Sequence, residues 1–480
     1  MSLHRASEAR EPEHDGAPAR RPSGALCARW LPALLALIPF ASVVMLIARY
    51  RVDVPYWDQW NLVPTLQKSY RGSLTPTDLW AQHNEHRILF PKAIMLLLAH
   101  ATGWNITYEL VLNVLLAAGI FAVLVWQVKR SRMLAGDGGA NWLLPAVSLV
   151  VFSPSQWENW LWGWQICVFL NVLAVTGGIV ILAADRPRRW RLPSALLIGV
   201  VASYSFASGL AYWLIAFPAL LGGPLRSRQA KLRESVVWLL VGGATIASYL
   251  YHYHTPSEHP RVGLSPGAWY GDAKYALVYL GRPVSEFHAL RAGALGVAAL
   301  LTIAFLLRRS LGPGRQRVLL PYLCFSLYAV VSAGMTAVGR TGFGIMQALS
   351  PRYITVSNLL WLSILVLLYL LLRSERQRAR EHGPALLARR YGVVAGIVAF
   401  ALVISCVVYA SLEAVPPSAA EYQKRATARA VLLSPDCDEV PGSICAAEDR
   451  KLLLDMLKRN YLSVFRESRD PRLRARSSTH

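Results

Sequence analysis

The sequence predicts an all-α membrane protein, a polytopic bundle of transmembrane helices. Three observations predict it. Apolar runs of about 17–25 residues recur along the 480-residue chain, each long enough to cross ~30 Å of hydrocarbon. The runs are apolar on every face, without the polar stripe of period 3.6 that marks a helix on a soluble core. The chain is 54% hydrophobic and only 16% charged, and its charge sits in short stretches between the runs.

The net charge of +22 raises the question of nucleic acid, and its distribution answers it. Arg and Lys gather in "KRSR" (129–132), "RPRRWR" (186–191), "RSRQAKLR" (226–233), "RRSLGPGRQR" (308–317) and "RSERQRAREHGPALLARR" (373–390). Basic loops of this kind face the cytoplasm and attract anionic lipid headgroups. No nucleic-acid-binding motif accompanies them, so anionic lipid is the expected partner and nucleic acid is not.

Taken in order, residues 1–28 are polar and rich in Arg, Pro and Ala, and are expected to be a disordered basic cytoplasmic tail. The first apolar run lies too far in for a cleaved signal peptide and is read as a retained helix. A membrane domain then covers 29–412. Crossings are expected near 30–48, 106–127, 142–153, 164–184, 194–206, 209–222, 236–252, 289–307, 318–337, 353–372 and 391–411, about eleven in all. An odd number leaves residues 413–480 outside as a small tail, and alternation puts every basic stretch in the cytoplasm. Two pairs contain a short crossing: 142–153 with 164–184, and 194–206 with 209–222. Broken helices at membrane depth are tolerated where they pack on protein or line a cavity. The exterior receives 50–105, 154–163, 253–288, 338–352 and 412–480, and with them most of the polar residues that invite a functional reading.

The long first loop, 50–105, is the richest. Residues 56–70 suggest a short interfacial helix anchored by Trp57 and Trp60. A Pro-Thr-Asp helix start follows in "LTPTDLWAQHNEHR", and 84–102 is expected to continue as a helix with Glu85 and His86 at its polar end. Asp58, on a separate piece, could face that end across a cleft. A carboxylate so placed can take a proton from a hydroxyl or hold a cation that neutralises phosphate. The plain alternative is that Asp58 caps a short helix and Glu85 pairs with Arg87, which otherwise adds a phosphate-binding cation.

A second constellation is "VGRTGFGIMQALSPRYIT", residues 338–355. Its three glycines permit close backbone approach to a ligand. Arg340 and Arg352 bracket Gln347, and an arginine fork suits phosphate. The alternative is that both arginines snorkel to headgroups. A third is "QWENWLWGWQ" (156–165), where Trp157, Glu158 and Asn159 combine the aromatic faces and polar groups that suit a sugar, although tryptophan belongs at any membrane interface. The stretch "SYSFASGLAYW" (203–213) is grouped with it. "YHYHTPSEH" (251–259) offers three histidines and a glutamate at imperfect zinc spacing.

Cys27, Cys167, Cys324 and Cys406 are scattered in or beside apolar runs and read as small fillers. Cys437 and Cys445, close together in "DCDEVPGSIC", favour a disulfide in an oxidising exterior, a metal pair being the alternative. The following "AAEDRKLLLDMLKRNYLSVF" has a helical pattern and could fold back over the outer face. No phosphate-binding loop ahead of Lys-Ser/Thr and no Gly-x-Ser-x-Gly elbow occurs. Ionisable residues are scarce in the middle of the runs, which weakens an ion-coupled transporter.

A first membrane helix followed by a long outer loop with an early acidic residue resembles the GT-C superfamily of membrane glycosyltransferases. The likeness extends to bacterial members with "WDQW…QHNEHR…SGL…GFG..QALSPRY"-like motifs and covers about 30–411. The resemblance implies a bacterial inner-membrane enzyme that transfers a sugar, with inversion, from a polyprenyl phosphate to a glycan or glycolipid acceptor on the periplasmic face. It implies Asp58 as general base, Glu85 with His86 as the second polar position facing the cavity, and Arg340 or Arg352 as the cation steadying the leaving phosphate. A single Asp58 between Trp57 and Gln59 departs from relatives with an acidic pair. The metal requirement therefore stays open, a divalent cation being one alternative. Rival readings are a polymerase or ligase using lipid-pyrophosphate oligosaccharides, a lipid-linked sugar flippase and an envelope scaffold.

Overall fold

The computed structural model describes residues 23–134, 141–184, 189–223, 227–257, 260, 263, 265–285, 287–310, 316–381, 387–434 and 448–469. The regular elements are helices: α1 (Ser23–Tyr50), α2 (Val63–Tyr70), α3 (Pro76–Trp80), α4 (Leu89–Thr102), α5 (Ile106–Leu134), α6 (Leu143–Val151), α7 (Trp157–Leu161), α8 (Ile166–Leu182), α9 (Arg191–Ser203), α10 (Tyr212–Ile215), α11 (Phe217–Leu221), α12 (Arg228–Leu250), α13 (Pro266–Gly281), α14 (Ala289–Ser310), α15 (Gln316–Arg340), α16 (Ile354–Glu381), α17 (Leu387–Leu412), α18 (Val415–Leu433) and α19 (Glu448–Arg459). Among the described residues, seven helices are long and apolar enough to cross a membrane, and shorter apolar helices accompany them. The chain is a multi-pass helical membrane protein.

The expected crossings outside these seven fall in shorter or less apolar helices, for physical reasons. The nine residues of α6 rise only about 14 Å. The 13 residues of α9 are also short, and 207–221 breaks into a 3-10 turn and two short helices. The 23-residue α12 has the length, but Arg228, Lys231, Arg233 and Glu234 near its start shorten the apolar part. α1 begins at Ser23, inside the stretch expected to be disordered, while residues 1–22 lie outside the described residues. So do 435–447, and with them the expected Cys437–Cys445 pair, and parts of the basic loops. Residues 253–288, expected as an outer loop, contain α13. Its "YALVYLG" run buries Tyr275, Val278, Tyr279 and Leu280 against α14 and α15.

α13 and α14 form a close hairpin because glycines meet backbone: a Cβ on Gly281 would lie 1.9 Å from the Ala292 oxygen, and one on Gly296 would lie 2.1 Å from that of Leu277. One apolar core runs through α5, α8, α15 and α16. A second core belongs to one end of the molecule. There Trp60, Leu62 and Leu66 of the first loop meet Met95 and Ala99 of α4, and Leu457, Leu462 and Phe465 from beyond α18. That second core carries the site.

Candidate functional site

The segment after α1 turns sharply at Tyr56 and Trp57. Trp57 has φ +46°, a left-handed value that a bulky side chain adopts only under constraint. A 3-10 turn over Trp57–Leu62 follows and runs into α2, so the stretch expected as a short helix at 56–70 is helical. Asp58 on this turn lines an open cavity of about 1090 Å³ together with Asn61, Trp80, Arg87, His252, His254 and Phe343.

Across from it, the expected helix over 84–102 starts only at Leu89. Ahead of it, His83 and His86 exchange backbone hydrogen bonds of 2.8 Å in both directions around Asn84, whose φ is +47°. This tight hairpin brings two imidazoles to one side. His83 Nε2 lies 3.7 Å from Asp58 Oδ2. His86 Nδ1 accepts the Ala207 N–H at 3.2 Å and its ring stacks on Phe206 at 4.0 Å. That bond puts the neutral ring's proton on Nε2, which faces Glu85 Oε1 at 3.4 Å.

Glu85 in turn receives Arg340, whose Nε donates to Oε1 at 3.0 Å and whose Nη2 reaches the same oxygen. Burial opposes ionisation of Glu85, but His86, once protonated in acid, and Arg340 outweigh it and hold the carboxyl at about 2. Burial pushes His86 down to about 4 against the pull of Glu85, so at neutral pH the imidazole is uncharged. Arg340 is then the cation that keeps Glu85 ionised.

Arg87 is placed differently from the sequence expectation. Its Nε, Nη1 and Nη2 donate to the carbonyls of Tyr249, Trp80 and Tyr251 at 2.7, 3.1 and 2.5 Å, so it clamps the first loop to the end of α12. Glu85 meets Arg340 instead, 255 positions later in the chain.

The remaining predicted residues gather beside Trp57. Arg352 Nη1 lies 3.7 Å from Glu158 Oε2, and the Arg352 N–H donates to that oxygen at 3.3 Å. The guanidinium also sits over the Trp57 and Tyr353 rings, at 5.7 and 5.4 Å. Burial pushes the Glu158 carboxyl up, with Arg352 pulling the other way. Asn159 is buried and donates to Thr355 Oγ1 at 2.7 Å and to the Arg352 carbonyl at 3.1 Å. Trp157, Trp160, Trp162 and Trp164 are all buried, so the tryptophan-rich stretch is packing, not an open sugar platform. Gln347 accepts from the Tyr275 hydroxyl at 3.3 Å.

Sequence reasoning missed several participants. His83 faces Asp58. Gln59 points down to Glu109 at 2.6 Å. On α18, Arg425 stacks on the Tyr56 ring at 3.8 Å and its Nε pairs with Glu421 at 2.9 Å. Burial, reinforced by the Glu421 charge, pushes the Tyr56 phenol well up. The signal for Arg425 was weak, since Glu421 and Arg425 read as an ordinary i,i+4 surface pair.

Residues from 50–105, 154–163, 253–288, 338–352 and 412–480 thus meet. Contacts run from Arg352 over Trp57, next to Asp58, through His83 and His86 to Glu85 and Arg340. Among the described residues no group of three or more His, Cys, Asp or Glu side chains comes together as a metal ion needs. The carboxylates of Glu85 and Glu158 are turned toward arginines. No protein-family model, curated protein or solved structure matches this chain.

Proposed function

We propose that the chain is an inverting membrane glycosyltransferase that moves a sugar from a polyprenyl phosphate to a hydroxyl of an envelope glycan or glycolipid at the outer face of a bacterial inner membrane. One observation carries the reading: Asp58 lines a wide polar cavity, while Glu85 and Glu158 are each held by an arginine. Asp58 is therefore the carboxylate placed to meet a substrate. The cavity lies at the upper end of the size range of ligand sites.

The chemistry needs few parts. Asp58 takes the proton of the acceptor hydroxyl, worth about 10²–10⁴-fold. The hydroxyl oxygen bonds to the anomeric carbon from the face opposite the leaving group. The bond from that carbon to the phosphate oxygen breaks, and the lipid phosphate leaves with the electron pair. Arg340 and Arg352 supply the charge that steadies it. No nucleotide site is required, in keeping with the absence of a phosphate-binding loop from the sequence.

The test compares lipid-linked sugars and envelope glycans by mass in cells with the intact chain, without it, and with Asp58→Asn at normal membrane levels. The expected result is one sugar missing from both defective strains, with its polyprenyl-phosphate donor accumulating. Unchanged glycans in the Asp58→Asn strain alone would overturn the assignment of the base. Loss of long chains with intact short units would point to a polymerase.

A further inference from the structure

We propose that Gln59 and Glu109 are positioning residues for Asp58, a brace beneath the "WDQW" turn that fixes where its carboxylate points. The inference rests on the reading of Asp58 as the base. Its structural half stands on its own observations.

Glu109 lies in the first turn of α5 and is 1% exposed. Its Oε2 accepts from Gln59 Nε2 at 2.6 Å, and its Oε1 accepts from Trp104 Nε1 at 3.0 Å. Both are neutral donors. The other end of the Gln59 amide, Oε1, accepts the Tyr56 N–H at 3.1 Å, while the Gln59 N–H donates to the Tyr56 carbonyl at 3.0 Å. Gln59 therefore closes the turn from both main chain and side chain, with strained Trp57 and Asp58 inside it.

The surroundings are shaped to this carboxylate. A Cβ on Gly163 would lie 2.0 Å from Glu109 Oε2 and 2.9 Å from Gln59 Nε2, so only glycine fits there. Burying a carboxylate is costly, and an apolar residue could fill the volume. What an acid adds is an acceptor on both oxygens. Against it, the Gln59 amide has one orientation: Nε2 toward Glu109 and Oε1 toward Tyr56. The register of Asp58 against His83 and the cavity follows from that orientation.

A residue exchange tests the brace. Glu109→Gln leaves a donor facing a donor whichever way either amide turns. Gln59→Glu places two carboxylates together. The double exchange, Gln59→Glu with Glu109→Gln, rebuilds the chain: Trp104 to the oxygen of residue 109, its amide nitrogen to residue 59, and the Tyr56 N–H to residue 59. Two readouts are taken on the full chain in lipid nanodiscs. The first is hydrogen exchange of the peptide covering 54–62, which needs no activity. The second is the steady-state transfer of a labelled hexose from a polyprenyl phosphate, per folded molecule.

Each single exchange is expected to speed hydrogen exchange in 54–62 and lower kcat by about 10–100-fold, with KM little changed, since small misplacement costs rate. The double exchange is expected to restore both to within about threefold. Unaltered hydrogen exchange in the single variants would overturn the brace. Faster exchange with kcat unchanged would reduce it to structure alone and overturn the positioning role. An intact chain without transfer would sink the proposed function, and the exchange cycle would still decide the brace.

Discussion

Glu85 and His86 are neighbours with opposite burdens, and the difference is measurable. His86 is buried with its pKa lowered from 6.5 to about 4. The folded state thus binds its proton less readily than the unfolded state. The sign follows: stability is full above about pH 6.5 and falls as pH drops toward 4. The Glu85 carboxyl, lowered from 4.5 to about 2, acts in a lower window, its stabilisation lost as pH falls from about 4.5 toward 2. Unfolding followed against pH should be flat above neutrality and decline in both windows. His86→Phe, which keeps a ring on Phe206, should remove the upper decline. Arg340→Met leaves the half-buried Glu85 without its cation and should destabilise by about 1–3 kcal/mol, much of it recovered by adding Glu85→Gln. Unfolding of the four-member cycle checks this. At this scale the sequence showed Asp58, Glu85, Arg340 and Arg352, because charges beside long apolar runs are conspicuous. It did not show which pairs form. Glu85 finds Arg340 across 255 positions, and Arg87, only two residues away, is drawn to carbonyls instead.

Elements were legible where one signal dominated. The apolar runs at α1, α5, α8, α14, α15, α16 and α17 announced themselves by length. The hairpin at His83–His86 did not, because Asn84 in a left-handed conformation interrupts a stretch of otherwise helical composition. α13 was hidden for a related reason: its 16 residues are few for a crossing, and only its packing on α14 explains its burial. That packing makes a contrast between glycines. Gly296→Ala forces a Cβ against the Leu277 carbonyl and should cost about 1–3 kcal/mol of stability. Gly177→Ala on α8 meets nothing within 4 Å and should be neutral or stabilising by up to about 1 kcal/mol. Thermal unfolding of the two variants in the same lipid decides it, and equal effects would contradict the hairpin geometry.

Across the whole molecule, the two cores divide the labour. The larger holds the bundle, and the smaller is completed by chain from both ends: Arg466 pairs with Asp53, and Ser463 N–H donates to the Gly103 carbonyl at 2.9 Å. Leu457, fully buried in that second core, should cost about 2–5 kcal/mol as Leu457→Ala and loosen the first loop more than the bundle, which regional hydrogen exchange would resolve. Charge alone led the sequence reading to expect these segments on one side; that they interlock rests on contacts hundreds of residues apart, which no local pattern records. In the proposed reaction this joint end of the molecule cleaves a lipid-linked sugar. The most direct measurement reconstitutes the intact chain and Asp58→Asn in liposomes with labelled polyprenyl-phosphate hexoses and a glycan acceptor, and follows release of lipid phosphate. Release by the intact chain, reduced at least about 10²-fold by Asp58→Asn, is the predicted result. Donor that crosses the bilayer uncleaved, at the same rate in both, would contradict it.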